Sequence, residues 1–200
     1  MLTSKPSDFQ PSLKDEYLSQ VAKWLLDEWY ATEDDLTRET DGPYTRGTTR
    51  FGRQKQRITN EFLNGTHTWL GLENGGNDLV FTIGGIPCRF TNDSATTPTK
   101  KAVLETHRYQ MPLLEEAEPN HAARFCFVVD SDGGEDREPK VSLLGYSATS
   151  MLVCQWQSAS NVRTLANIRP ELPEAVEIAK PVVVPKRRVA DDDISASVGT

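Results

Sequence analysis

The sequence lacks the features that are typical of secreted and membrane proteins. It contains three cysteines in 200 residues, at positions 88, 126 and 154, and no two of them have the spacing of a zinc-binding motif. No run approaches the roughly 20 apolar residues of a membrane helix, and the N-terminus has no apolar core like that of a signal peptide. We therefore expect a cytoplasmic protein with reduced thiols, no cofactor, no bound metal and no membrane contact.

Catalytic motifs are equally scarce. The histidines at positions 67, 107 and 121 are scattered, and no pair has the spacing of metal ligands on a helix. No Gly-x-Ser-x-Gly motif is present. The pair Gly84 and Gly85 follows a predicted strand without a phosphate-loop pattern around it, which indicates a turn. These absences favour a binding protein over an enzyme.

Acidic residues outnumber basic ones, 29 to 22, and give a net charge of −7. This balance argues against a general affinity for nucleic acid or membrane surfaces, so any contact with phosphate must come from a local patch. Residues 44–58 form such a patch, because they carry several bases and no acid. The bases are Arg46, Arg50, Arg53, Lys55 and Arg57. The arginines are spaced by four, three and four residues, which places them on one side of a helix. We call these four residues the arginine face.

The arginine face has three interpretations. Like charges at this spacing repel each other on an isolated helix, so something anionic should lie against them. Guanidinium groups match phosphate oxygens in pairs, which favours nucleic acid. An acidic protein surface would serve equally well. The third interpretation is pairing within the chain, with the acidic residues at 33–41, or a solvated surface. We expect the arginine face and Lys55 to bind a protein partner or nucleic acid, and the oligomeric state stays open.

The hydrophobic pattern predicts an α+β fold. Apolar residues at intervals of three and four predict a helix over residues 13–31, and a second helix should run from 48 or 49 to 62. If that helix begins only at Phe51, Arg46 lies in a loop. Strands are predicted at 68–72, 79–83, 86–90, 124–129, 140–146 and 151–156. We expect an antiparallel meander with the N-terminal helices packed on one side of it, and Pro87 should place its strand at an edge or delay the start of that strand.

Three regions divide the chain. Residues 1–11 are polar and predict an N-terminal arm, residues 12–168 a single α+β domain, and residues 169–200 an extended or disordered tail. The tail carries an apolar centre between prolines, followed by bases: Val182, Val183, Val184, Lys186, Arg187 and Arg188. Segments of this kind bind by adding a strand to a sheet or by lying in a groove. One hypothesis is therefore a regulatory subunit whose tail docks on a larger complex.

An enzymatic hypothesis rests on the turn after the fourth strand. Asp130, Glu138 and Lys140 occur in the order of a PD-(D/E)xK nuclease, with an acid on one strand and Glu-x-Lys on the next. Carboxylates at those positions would hold Mg²⁺, and the lysine would stabilise the activated water. Pro139 fits a strand poorly, and the acids crowd the turn. A solvated hairpin loop is the competing interpretation.

Two segments resemble a group of uncharacterised bacterial proteins. They are residues 45–57, TRGTTRFGRQKQR, and residues 81–90, FTIGGIPCRF. The resemblance extends over about residues 13–160. The group is associated with neighbours of antitoxin genes that combine a helix-turn-helix with a zinc-peptidase-like domain. The resemblance implies a toxin–antitoxin or phage-defence module with a protein partner. It assigns no catalytic residue, and it leaves open whether this chain is effector or neutraliser.

Overall fold

The computed structural model describes residues 4–111, 121–131 and 138–159. Its helices are α1 (Pro6–Phe9), α2 (Asp15–Asp35), α3 (Pro43–Leu63) and α4 (Lys101–Leu104), with a 3-10 turn at Arg108–Gln110. Its strands are β1 (Leu70–Asn74), β2 (Val80–Ile83), β3 (Ile86–Asn92), β4 (Arg124–Asp130), β5 (Lys140–Tyr146) and β6 (Leu152–Gln157). The predicted α+β class is confirmed. The predicted tail motif at 182–188 lies outside the described residues.

Helix α2 ends later, and helix α3 begins earlier, than the sequence predicted. Helix α2 opens with Asp15 and Glu16, whose charges suit the positive end of the helix dipole, and it continues past residue 31 to Asp35. The first of the acidic residues at 33–41 are therefore helical. Helix α3 begins at Pro43, because proline suits the first helical position, where no backbone donor is needed. Arg46 is consequently helical, and the whole arginine face lies on one helix.

The six strands follow one another in sequence order across a single sheet. Every neighbouring pair is antiparallel except β3 and β4, which run parallel. The predicted antiparallel meander is wrong at this pair. The chain that joins the two strands passes through α4 and the 3-10 turn, and it returns to start β4 beside β3.

The predicted hairpin between β2 and β3 is confirmed. Gly84 and Gly85 both have positive φ, at 56° and 85°, which a two-residue type I′ turn requires. Pro87, however, lies in an interior strand rather than at an edge. The pairing of β3 with β4 begins at Cys88, so the missing N–H of Pro87 does not interrupt that ladder.

The sheet has a large core on one face and a small one on the other. Trp24 and Leu25 of α2 and Ile58 of α3 are buried in one cluster with the aromatic residues of the inner strands, Phe81, Phe90, Phe125 and Phe127. On the opposite face, Val103 of α4 covers Cys126, Val128 and Leu144. Each fully buried side chain of this size contributes roughly 1.5–3 kcal/mol, so the larger cluster fixes α2 and α3 against the sheet.

Candidate ligand-binding cleft

The arginine face lies against α2, and its charges are paired within the chain. Each guanidinium lies within 4.0 Å of a carboxylate of α2 or α3. The pairs are Arg46 and Arg50 with Glu33, Arg53 with Asp35 at 2.7 Å, and Arg57 with Glu28 at 3.5 Å and Glu61 at 2.8 Å. Two of these acids, Glu28 and Glu61, lie outside the 33–41 stretch that the sequence indicated. The arginine face therefore joins α3 to the second half of α2.

Arg50 is the most enclosed member of the face. Its side chain is 15% exposed, it donates a hydrogen bond to Glu33, and its guanidinium lies 4.7 Å from the centre of the Trp29 ring. Cation–π contacts and ion pairs strengthen as water is removed from them. Arg46, Arg53 and Arg57 are each about a third exposed, so their pairs contribute about 0–1 kcal/mol.

Lys55 does not join the arginine face. It lies about two and a half turns along α3 from Arg46, which puts the two residues on opposite sides of the helix. No ion pair links Lys55 to another described residue. The structure thus separates this lysine from the four arginines with which the sequence grouped it.

The three residues of the nuclease hypothesis are only partly brought together. Asp130 ends β4 directly opposite Lys140 at the start of β5, whereas Glu138 is exposed outside the strands. The Oδ2 atom of Asp130 accepts a hydrogen bond from the backbone N–H of Ala95 at 2.6 Å. Within the described parts of the chain, no three His, Cys, Asp or Glu side chains gather at a spacing that would hold a metal ion. The nuclease function stays a prediction.

A cleft of about 830 Å³ opens where β3 and β4 end. Its floor is formed by the last residues of these two parallel strands, Thr91, Asn92, Val129 and Asp130. One wall is the N-terminal half of α3, with Pro43, Tyr44, Gly47, Thr48, Arg50 and Phe51, and the other includes Asp93, Ser94, Lys100 and Ser131. We call it the strand-end cleft. Parallel strands bring their carboxyl ends to one edge of a sheet, and ligands commonly bind at that edge.

The first turns of α3 extend beyond the ends of these strands. Ile58 faces the sheet and is fully buried, whereas the turns before it on the same side face the cleft. Phe51 stacks on Phe90 with ring centres 5.1 Å apart and closes the inner end. Tyr44 lies at the outer end and is 84% exposed. Between them, a Cβ placed on Gly47 would meet no atom within 4 Å. The wall is therefore aromatic at both ends and open in the middle.

A buried hydrogen-bond chain supports the floor of the cleft. The Nε2 atom of Gln54, on α3, donates to the carbonyl of Leu25 in α2 at 2.9 Å. The Nδ2 atom of Asn92 donates to Oε1 of the same glutamine at 2.8 Å. The Oδ1 atom of Asn92 is buried and has no hydrogen-bond partner among the described residues, which costs about 1–3 kcal/mol. The floor residue is thus tied to both long helices and retains one unsatisfied acceptor.

The loop over residues 93–100 is organised by carboxylates at the strand ends. Asp93 accepts hydrogen bonds from the backbone N–H groups of Ser94, Thr99 and Lys100, at 2.7–2.9 Å, and from the Thr99 hydroxyl at 3.1 Å. Burial raises the pKa of Asp93, but these hydrogen bonds outweigh it, and the pKa lies below its ordinary value. The ionised carboxylate of Asp93 therefore stabilises the conformation of this loop. Lys100 is exposed and makes no ion pair with another described residue.

The remaining reactive side chains lie away from the cleft. His67 lies beside Trp24 and Glu61, and the His121 ring lies 3.2 Å from the carbonyl oxygen of Phe9. The cysteines are buried free thiols. Burial raises the pKa of Cys126 and of Cys154 to about 12, which keeps these thiols protonated and unreactive at neutral pH. None of these residues lines the strand-end cleft.

No protein-family model, curated protein or solved structure matches this chain. The resemblance to antitoxin-associated bacterial proteins therefore stays a prediction. In the described ranges, no helix is both long enough and apolar enough to cross a membrane. The cytoplasmic location is likewise a prediction. The strand-end cleft itself was not predicted from the sequence, because its floor depends on the parallel pairing of β3 with β4.

Proposed function

We propose that this protein binds a small polar molecule in the strand-end cleft. The observation that carries this proposal is the cleft of about 830 Å³ at the carboxyl ends of β3 and β4. Small-molecule sites enclose about 300–1,000 Å³ and combine apolar walls with a few convergent polar groups. Phe51 and Tyr44 supply the apolar wall, and Asn92 and Lys100 supply polar groups.

The electrostatics of the cleft favour an anionic group on the ligand. The first residues of α3 line it, and the N-terminus of a long helix carries a partial positive charge. Lys100 adds a full positive charge without an ion pair to another described residue. The carboxylates of Asp93 and Asp130 also line the cleft, and the backbone N–H groups that donate hydrogen bonds to them offset part of their charge.

The predicted interaction role through the arginine face has less support. An acidic partner would have to compete with Glu28, Glu33 and Asp35, which already pair with the arginines inside the chain. A role within a toxin–antitoxin or phage-defence module is compatible with ligand binding. In that case the cleft would receive a small molecule, and a partner would respond to its presence.

The proposal is tested by thermal denaturation of the full chain with a defined panel of nucleotides, sugar phosphates, dicarboxylates and amino acids. A ligand at one hundred times its Kd should stabilise the protein by about 2.7 kcal/mol. The stabilisation should weaken in Lys100→Ala and persist in Lys101→Ala, because Lys101 is absent from the cleft. If no panel member raises the Tm, or if both lysine variants respond like the wild type, the cleft is not the binding site proposed here.

A further inference from the structure

We infer that the strand-end cleft takes a planar aromatic ring that bears an anionic group, with the ring lying against Gly47. This inference rests on the proposed function and names the chemical class of its ligand. Nucleotides and aromatic carboxylates share this chemistry. The geometry of α3, the exposure of Tyr44 and the position of Lys100 each support one part of it.

The ring is suggested by the side of α3 that faces the cleft. Tyr44, Gly47 and Phe51 occur at intervals of three and four residues, which places them on one side of the helix. Two aromatic side chains thus flank a position that has no side chain and has open space in front of it. A ring packed on the backbone here would approach to about 3.5–4.0 Å, a distance that a Cβ at Gly47 would obstruct.

Gly47 brings the folded protein no packing advantage of its own. Glycine within a helix is less favourable than alanine. Close packing cannot explain its presence, because an added Cβ would touch nothing within 4 Å. Gly52 has the same open surroundings but does not line the cleft. The two glycines therefore form a matched pair that differs in access to the ligand.

Tyr44 provides the outer contact for the ring. It is the most exposed large apolar side chain among the described residues, and no described aromatic ring stacks on it. Stacking of a flat ring on an exposed aromatic side chain is a common source of binding energy for bases. Phe51 is already stacked on Phe90 and limits the depth of the slot.

The anionic group is assigned to the wall of the cleft that carries Lys100, opposite α3. Lys100 is the N-cap residue of α4, and its ammonium group is exposed. Lys101, the next residue, is also exposed but lies near Glu105 at 3.7 Å and does not line the cleft. A phosphate or carboxylate at this place would gain one charge-assisted contact with Lys100.

Four probes separate the ring from the charge in isothermal titration of the full chain. Adenosine monophosphate carries both groups, adenosine only the ring, and ribose 5-phosphate only the charge. Anthranilate tests the other source of the same chemistry. We expect adenosine monophosphate or anthranilate to bind at least about tenfold more tightly than either single-group probe, which corresponds to roughly 1.4 kcal/mol. Equal binding of the three adenosine-derived probes would overturn the inference.

The variants then locate the ring and the charge. Gly47→Ala should weaken binding of the tighter probe by at least about tenfold, whereas Gly52→Ala should leave it unchanged. Tyr44→Ala should weaken it by about tenfold, and Lys100→Ala should remove the advantage over adenosine. Equal binding by the two glycine variants would contradict the placement of the ring.

The two proposals fail separately. If these probes do not bind but another panel member raises the Tm and loses its effect in Lys100→Ala, the cleft is a site and the ligand class is wrong. If nothing in either set binds, the proposed function fails together with the ligand class.

Discussion

Two sides of helix α3 have different surroundings in the folded protein. The arginine face lies against α2, where carboxylates meet each guanidinium within 4.0 Å. A second side, roughly 120° around the helix, passes the ends of β3 and β4 and faces the strand-end cleft, which Arg50 of the arginine face also lines. The charged side is prominent in the sequence but is largely satisfied by folding. The inconspicuous side, with Gly47 at its centre, is left open. A dense charge pattern can thus be paired within the chain at a contact between two helices, which we call the seam.

Charge reversal at the seam should have the largest effect. The double variant Arg50→Glu with Arg53→Glu places like charges beside Glu33 and Asp35, and it leaves the partly buried Glu33 with only its 4.0 Å contact to Arg46. We expect a loss of about 2–3 kcal/mol in the free energy of unfolding, measured by urea denaturation, because Arg50 is the most enclosed arginine of the face and also loses its contact with Trp29. Lys55→Glu on the opposite side of α3 is the control and should change stability by less than about 0.5 kcal/mol.

The same pair of variants can reverse the comparison. If Arg50→Glu with Arg53→Glu leaves the protein stable but removes a co-purifying partner, the arginine face is a contact surface, as one interpretation of the sequence held. If the variant loses stability and the wild type has no co-purifying partner, the result supports a structural role for the arginine face.

Removing the floor amide should have the next largest effect. In Asn92→Ala, the Oε1 atom of Gln54 loses its donor inside the core. The same change removes the unsatisfied Oδ1 atom of Asn92, so the expected net loss is about 1–2 kcal/mol in urea denaturation. Asn60→Ala removes a comparable bond, to Gln56, at an exposed position of α3 and should change stability by less than about 0.5 kcal/mol. Equal losses in the two variants would show that burial does not distinguish the floor from the surface.

Acid should release the loop at the rim of the cleft. Because the pKa of Asp93 is lowered in the folded protein, its contribution is present above the unfolded pKa of about 3.9 and disappears as the pH falls through the lower folded value. Asp93→Asn should therefore cost about 1 kcal/mol near neutral pH, since the group is partly solvated. The difference from the wild type should close in acid. A difference that stays constant with pH would assign the effect to shape rather than charge.

The two helix glycines should give the smallest effect on stability. Gly47→Ala and Gly52→Ala each place a methyl group in open space on α3, and each should raise the free energy of unfolding by about 0.4–1 kcal/mol without ligand. Thermal denaturation of the unliganded chain measures this. A loss of stability in Gly47→Ala alone would mean that the cleft wall has no room for a side chain, and hence none for a ring.

Local patterns account for much of the fold. The spacing of the arginines predicted their alignment on one helix, and the two glycines between apolar runs predicted the β2–β3 hairpin. The start of α3 was predicted too late, because Gly47 and Gly52 lower helix propensity while tertiary contacts with α2 stabilise the early turns.

The parallel pairing and the cleft could not be obtained in this way. The sequence fits strand or helix equally well over residues 102–111, where the structure has α4 and the 3-10 turn. Packing between distant parts of the chain decides which strand lies beside β4, and no local sequence pattern indicates this choice. The polar groups of the cleft, such as Asn92 and Lys100, are ordinary loop and strand-end residues in the sequence. Only their proximity in the folded protein distinguishes them from other polar residues of the chain.

The single parallel pair also sets an order of assembly. The other strand pairs join through short turns or loops, which close quickly, whereas β3 and β4 meet only after the whole crossover has been placed. The floor of the cleft therefore depends on a strand pairing that no short turn brings together. The antiparallel units β1–β3 and β4–β6 can form first, and the cleft forms when β3 pairs with β4. A variant that loosens the loop at Asp93 would slow the pairing of β3 with β4. It would lower the yield of folded protein, whereas the molecules that do fold would keep their affinity for the ligand.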